Sequence, residues 1–262
     1  MRRALAALLA ALALPAWATE VLGHISFPPG MAPLRMRAVI FRVNEGRPVY
    51  ADAVDGVFRV DLEPGYYAAI ASGSGMQTGA RSFMVGPGLH GPRLRAYRSP
   101  APEAATAAEL EAMLRQDRAV RQNRNEDGND ERMRQIDRAN QKQLEAIIAR
   151  IGWPRESVVG ANGAQAAFFI AQHGEADFLR RCLPLMREAA EANELALDLL
   201  ALAEDRVRMN EGAPQLYGTQ LRGDASGKLH LYPVEDPENI DVRRSRVGLG
   251  PHADYLARFG LH

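Results

Sequence analysis

The chain has 262 residues, with 32 Lys and Arg balanced by 32 Asp and Glu, 47% hydrophobic residues and one cysteine. A neutral balance lacks the electrostatic footprint of a nucleic-acid binder, so no nucleic-acid partner is expected. Cys182 alone excludes an internal disulfide, and the length exceeds one typical domain.

Residues 1–18 have the form of a secretory signal: Arg2 and Arg3, an apolar run from Ala4 to Leu14, and Ala16-Trp17-Ala18 as a small-x-small cleavage site. Cleavage after Ala18 is expected, giving a periplasmic or secreted product. The apolar run is too short to span a bilayer and no later segment comes close, so no transmembrane anchor is expected after cleavage.

From Val21 to Arg98 short β-rich runs alternate with turn residues. Arg35–Val43, Pro48–Val54, Val57–Leu62 and Tyr66–Ser72 are joined by Asn44-Glu45-Gly46, Asp55-Gly56 and Glu63-Pro64-Gly65, a spacing that predicts a small β-sandwich over residues 19–98. The stretch from Gly56 to Tyr67 resembles the strand-turn-strand signature of carboxypeptidase-regulatory-like and transthyretin-like modules, which implies an accessory role. Ser99-Pro100-Ala101-Pro102 reads as a stiff linker at 99–102.

Beyond it the hydrophobic period lengthens from two to about 3.6, and residues 103–262 read as a mainly helical domain. Helices are expected at Glu103–Asn123, Asn129–Ile151, Val158–His173, Ala176–Ala192 with a bend near Pro184, and Glu194–Asn210, with a break at Asp127-Gly128-Asn129. Gln215–Arg222 and Lys228–Val234 flank Gly223-Asp224-Ala225-Ser226-Gly227 as a short β-hairpin, followed by short helices at Pro237–Val247 and Pro251–Phe259. The class is α+β: an N-terminal small β-sandwich, then a mainly α-helical domain with a short hairpin.

Winding each helix at about 100° per residue places several polar groups inside apolar stripes. Asp117 and Arg121 continue the line of Leu110 and Leu114; Asp137 and Asn140 lie within the arc of Met133, Ile136, Leu144 and Ile147; Arg206 projects among Leu195, Leu199 and Leu202. Val158–Gly174 has no charged side chain, which predicts a central helix, with Asn162, Gln165, Gln172 and His173 gathered beside Phe169. Buried polar groups without partners are costly, so Asp137, Asn140, His173 and Arg206 are expected in one cluster, with Arg206 answered by Asp117, Asp137 or an anionic ligand.

No metal site is assigned, because Gly174 separates His173 from Asp177 and no third ligand appears at a recognisable spacing. Cys182, on a Leu-rich helix, reads as a core residue. A phosphate loop, a Gly-x-Ser-x-Gly elbow and a His-Glu-x-x-His motif are all lacking, and neither a cofactor nor a protein partner is assigned.

The segments Asp137-x-x-Asn140, Gly152-Trp153-Pro154 with Val159-Gly160, Gln172-His173, Asp205-Arg206-Val207, Gln215-x-Tyr217-Gly218-Thr219-Gln220, Glu235-Asp236-Pro237 and Asp241-x-Arg243-Arg244 resemble a bacterial family known only as domain of unknown function 6624. The resemblance spans Asp117 to about Tyr255 and implies no activity. After His173 this chain has Gly174-Glu175 where the family has a small residue and aspartate.

Two functional expectations follow. In the first, the protein acts on or binds a small polar or anionic ligand without metal, as a hydrolase or transferase. His173 is then the acid–base group, oriented by Asp117 or Asp137, while Arg206, Arg243 and Arg244 hold the anion and Asn140, Gln172, Gln215, Tyr217, Gln220 and Asp236 supply further polar contacts. In the second, the same cluster holds helices in register in a non-catalytic envelope scaffold.

Overall fold

The computed structural model describes residues 18–122, 128–224 and 227–261. The expected signal segment, save Ala18, and the residues at Asn123–Asp127 and Ala225–Ser226 lie outside the described residues.

The strand-rich region comprises β1 Thr19–Ser26, β2 Met36–Arg42, β3 Val49–Ala53, β4 Val57–Leu62, β5 Gly65–Gly73, β6 Met76–Thr78, β7 Arg81–Val85 and β8 Arg93–Arg98. Alternation drives it: in β2, Met36, Ala38 and Ile40 are buried while Arg37 and Phe41 face out. The strands follow one path, β3-β2-β5-β6-β8-β1-β4, with β7 also paired to β5, and only β1 and β8 run parallel. Between β3 and β4, Asp55 and Gly56 both have positive φ, 50° and 76°, which a primed turn requires and which Asp-Gly supplies with little strain. The Val54–Val57 bridge there joins the ends of the strand path, so the sheet curls in a barrel-like way around Ile40, Phe58, Ala69 and Leu94.

The helical half has its own core. It consists of α1 Ala104–Gln122, α2 Asn129–Ile151, α3 Glu156–His173, α4 Ala176–Glu191 and α5 Leu197–Asn210, followed by a hairpin of β9 Leu221–Gly223 and β10 Leu229–Leu231, a 3-10 turn at Pro237–Asn239, α6 Ile240–Arg246 and α7 His252–Ala257. As the lack of charge predicted, α3 is central, with Ala166, Ala167, Phe168 and Ala171 fully enclosed. Asn162 and Gln165 are instead exposed, so only Gln172 and His173 remain on the polar side that the sequence suggested. Gly160 interrupts the first turn of α3 with φ 73° and ψ 166°, a conformation open essentially to glycine alone.

The fifth helix begins at Leu197 rather than Glu194, because Glu194 has another task. Its carboxylate accepts the Ser157 N–H and hydroxyl, both at 2.8 Å, capping the start of α3. Arg95 of β8 pairs with the same carboxylate at 2.8 Å, although its Nε–H is not aligned for a hydrogen bond. Beside it, buried Arg81 of β7 holds Glu156 through two hydrogen bonds of 2.8 and 3.0 Å and also reaches Asn193. Tyr97 of β8 accepts the Ala161 N–H at 2.9 Å, and burial together with the Glu156 charge pushes its phenol up to about 12. The sheet therefore grips the N-terminal end of the helix whose other end carries His173.

Candidate functional site

Four of the inward-facing groups converge. On α1, Asp117 and Arg121 stand one turn apart, and Arg121 Nε donates to Asp117 Oδ1 at 3.0 Å. Arg121 Nη2 reaches across to Asp137 of α2 at 2.6 Å, and Nη1 lies 2.9 Å from the Met133 sulfur. His173 closes the group, its Nδ1 standing 3.1 Å from both oxygens of Asp117.

Arg121 Nε also lies 3.1 Å from His173 Nδ1. Both atoms cannot serve Asp117 as N–H donors and bond each other as well. Asp117 is 1% exposed and acceptor-only, so the satisfying assignment puts a proton on Nδ1 and directs both N–H groups at the carboxylate. His173 Nε2 then carries the lone pair. The His173 side chain keeps a quarter of its surface in solvent. Arg118 stacks over Phe169, whose ring lies 6.3 Å from that of His173.

The two carboxylates sit in opposed environments. Burial works to raise Asp117, but hydrogen bonding and charge from His173 and Arg121 outweigh it and hold the group below the usual carboxylate range. Burial also raises Asp137, and there it prevails over Arg121, assisted by repulsion from Asp117.

Arg206 does not find the carboxylate expected for it. Arg121, preplaced one turn from Asp117, takes both acids, and among the described residues Arg206 makes no hydrogen bond or ion pair, leaving its Nε buried without a partner. Burial, reinforced by the nearby Arg121 charge, pulls its guanidinium below the usual arginine range. Among the described residues five further buried side-chain atoms lack a partner, and two of them are on α2 and α3. Asn140 Nδ2, one turn along α2 from Asp137, and Gln172 Oε1, next to His173, are buried without partners. Gln172 is turned toward α5, its Nε2 donating to Leu202 O one turn before Arg206 at 3.4 Å; Gln220 Nε2 donates to the same carbonyl at 3.3 Å.

The remaining predicted site residues build a loop. Gln215 is fully buried, its amide donating to the Gln220 and Tyr232 carbonyls and accepting the Gln220 N–H. Arg244 donates to Gly250 O and Tyr217 O and stacks on Tyr255. Arg243 donates to the carbonyls of Leu216, Glu235 and Asp236 and pairs with the Asp236 carboxylate, which also accepts from Asn239. Tyr217 lends its backbone to Asp205 and its hydroxyl to Glu204 at 3.5 Å. Thus Gln215, Asp236, Arg243 and Arg244 shape the 215–220 loop and are not gathered around His173.

Asp205 is the residue that the sequence reading passed over. Completely buried, its carboxylate accepts the N–H groups of Leu216, Tyr217 and Thr219 and the Thr219 hydroxyl, at 2.6 to 3.2 Å. Its buried neighbours on α5 are Ala201, Ala203 and Val207, too small to mark a core face by hydrophobicity. The pairing Asp205-Arg206 was the available signal: the acid faces the loop, while the base turns toward α1.

Residues 104–260 match the model of a family described as a family of unknown function, DUF6624. The chain belongs to this family. No curated protein and no solved structure matches it. The match holds every site residue named above and begins at the first residue of α1, so the strand-rich region lies outside the DUF6624 span.

Within DUF6624 the described residues contain no group of three His, Cys, Asp or Glu able to hold a metal ion, and no described helix is long and apolar enough to cross a membrane. Cys182 is buried, and burial pushes its thiol up to about 12, so it is not a thiolate nucleophile. A cleft of about 1110 Å³ lies elsewhere, between the sheet and helices α4 to α6, touching Arg81, Arg95 and Asp198. Volume alone would favour it, but Arg81 and Arg95 are already engaged by Glu156 and Glu194. Arg206, by contrast, has no ion-pair partner among the described residues.

Proposed function

We propose that the protein is exported to the periplasm or secreted and takes up a small anionic ligand over His173 and Arg206. His173 is its acid–base group, and the chemistry is that of a metal-independent hydrolase or group transferase. Asp117 orients the imidazole, as a buried carboxylate does for a histidine base; Arg121, anchored by Asp137, helps keep Asp117 ionised. The strand-rich region, proposed as a carboxypeptidase-regulatory-like or transthyretin-like accessory module, supports the helical half.

The observation that carries this reading is Arg206, a half-buried guanidinium with no carboxylate beside it and a second guanidinium nearby. A cation that cannot shed its charge calls for an anion, and no described residue supplies one. A scaffold reading is favoured by the loop network, where Asp205 and Gln215 are fully satisfied. Arg206→Met separates the two, because it keeps the apolar stem and removes the charge. Ligand binding predicts an unchanged or raised Tm in the variant and the loss of thermal shifts that small anions give the wild type. A loss of about 3 kcal/mol or more, in a protein that no anion stabilises, would leave the scaffold.

A further inference from the structure

The pairing of the strands leaves a seam in the sheet. Residues 65–69 of β5 pair with β7, whereas Ser72 and Gly73 at its other end pair with β6, which leads on to β8. Beyond β6 the two flanking strands part. Among the described residues β7 pairs with β5 alone, and residues 93–95 of β8 pair with β1 alone, so two strand edges are left facing the space between them. The cleft of about 1110 Å³ lies there, lined by residues 81–84 on one side and 93–95 on the other.

One end of the seam is already filled by polypeptide. Pro92 O accepts the His24 N–H of β1, so the alternation of a strand turns the main chain of Arg93 the opposite way, into the seam. There Arg93 O accepts Asn193 Nδ2 at 2.9 Å, while Asn193 Oδ1 and its main-chain O accept from Arg81 of β7 at 3.1 and 2.8 Å. Arg95 Nη1 donates to Ala192 O at 3.3 Å. The connection between α4 and α5 thus spans both edges, as a further strand would.

Past Asn193 the cleft continues along β7. Ser82 O lies against Gly248, where a Cβ would come within 2.2 Å of it, and Met84, two residues on, presents its main chain to the same side. Leu89, Leu197 and Val242, from the β7–β8 connection, α5 and α6, line the same space with 38%, 46% and 50% of their surfaces exposed. The ionic groups carry both signs, Arg93 and Arg246 against Asp55, Glu191 and Asp198, so the walls select no charge.

A strand edge offers main-chain hydrogen bonds at every second residue, and an apolar wall beside it receives alternate side chains of an added strand. The five residues of β7 match a segment of about five residues, about 17 Å long. We propose that the cleft takes an extended segment of a different protein, added as a strand along β7 with apolar side chains at alternate positions against Leu89, Leu197 and Val242. The segment continues the interface that Ala192 and Asn193 begin. This site shares no residue with the one at His173 and stands apart from it.

The test uses the full chain and a blocked pentapeptide of alternating valine and threonine, its counterpart with leucine for valine, and two forms of each N-methylated at alternate nitrogens, one for each edge of the peptide. Titration calorimetry measures binding, and NMR follows the Ser82 and Met84 amides. The expected result is that a parent peptide binds and shifts both amides, and that at least one methylated form binds about tenfold or more weakly. Leu197→Asp and Val242→Asp, at exposed positions, should each weaken binding about tenfold or more while keeping the wild-type Tm. If neither parent peptide binds, or if both methylated forms bind as well as their parent, strand addition is overturned. Binding that neither aspartate variant weakens would place the peptide outside the cleft and overturn the site. A wild-type dimer in sedimentation that Val242→Asp dissociates would overturn the proposal in favour of a second copy of this chain.

Discussion

Asp117 and Asp137 share one guanidinium, yet their surroundings push them in opposite directions, so they contribute to stability with opposite sign. Asp117 is held below the ordinary carboxylate range in the fold, hence its stabilisation is complete above about pH 4 and is lost as pH falls through its folded value. Asp137 is raised, so its penalty is present above its folded value and is relieved as pH falls toward the ordinary range. Asp117→Asn is expected to cost about 3 kcal/mol at pH 7, since it strands Arg121 and His173 in a buried setting. Asp137→Asn should be near neutral, because Arg121 keeps Asp117. Urea denaturation of both variants at pH 7 and at pH 4 checks the pair; equal losses at pH 7 would contradict it. At this scale the inward turn of Asp117, Asp137 and His173 was legible from helical spacing. The isolation of Arg206 was not, because it depends on Arg121 reaching both acids first.

At the scale of elements, Asp205 joins α5 to the 215–220 loop by accepting three backbone N–H groups and one hydroxyl. A carboxylate so placed stands in for the partners an irregular buried segment would otherwise lack. Asp205→Ala is expected to cost about 3 kcal/mol or more, and hydrogen exchange should show protection lost at Leu216, Tyr217 and Thr219 while α1 to α3 keep theirs. Retained protection at those three amides would assign the loop's order to Gln215 and Arg244 instead. Sequence placed the hairpin but ran its first arm over Gln215–Gln220, which is irregular apart from a bridge between Gln215 and Val234, and read the polar residues there as ligand contacts. Irregular segments have no period, so nothing local distinguishes a side chain that bonds a carbonyl from one that faces a cavity.

Across the whole molecule, two separate cores meet through a buried polar junction. The helical half has its own core, and with the linker and the change of period at Pro100 this predicts that it unfolds cooperatively by itself. Without the sheet, however, Glu156 and Glu194 lose Arg81 and Arg95. A chain starting at Ala101 is therefore expected to fold with reduced stability, and Glu156→Gln, which removes a stranded charge, should recover part of the loss. In the full chain the same substitution should destabilise, by breaking the pair with Arg81. Thermal melts of the four proteins decide it. The absence of a cooperative transition in the shorter chain would mean that the sheet is required for the helices to fold.

What the amino-acid order determined by itself is the succession of strands, helices and hairpin, and which charged residues point inward, because both follow from spacing along the chain. Tertiary structure alone decided who meets whom. Arg121 rather than Arg206 answers the two aspartates, Glu194 caps α3 instead of opening α5, and Arg81 of the sheet closes on Glu156. Each of these pairings depends on how helices cross and where two cores abut, quantities that no local period encodes.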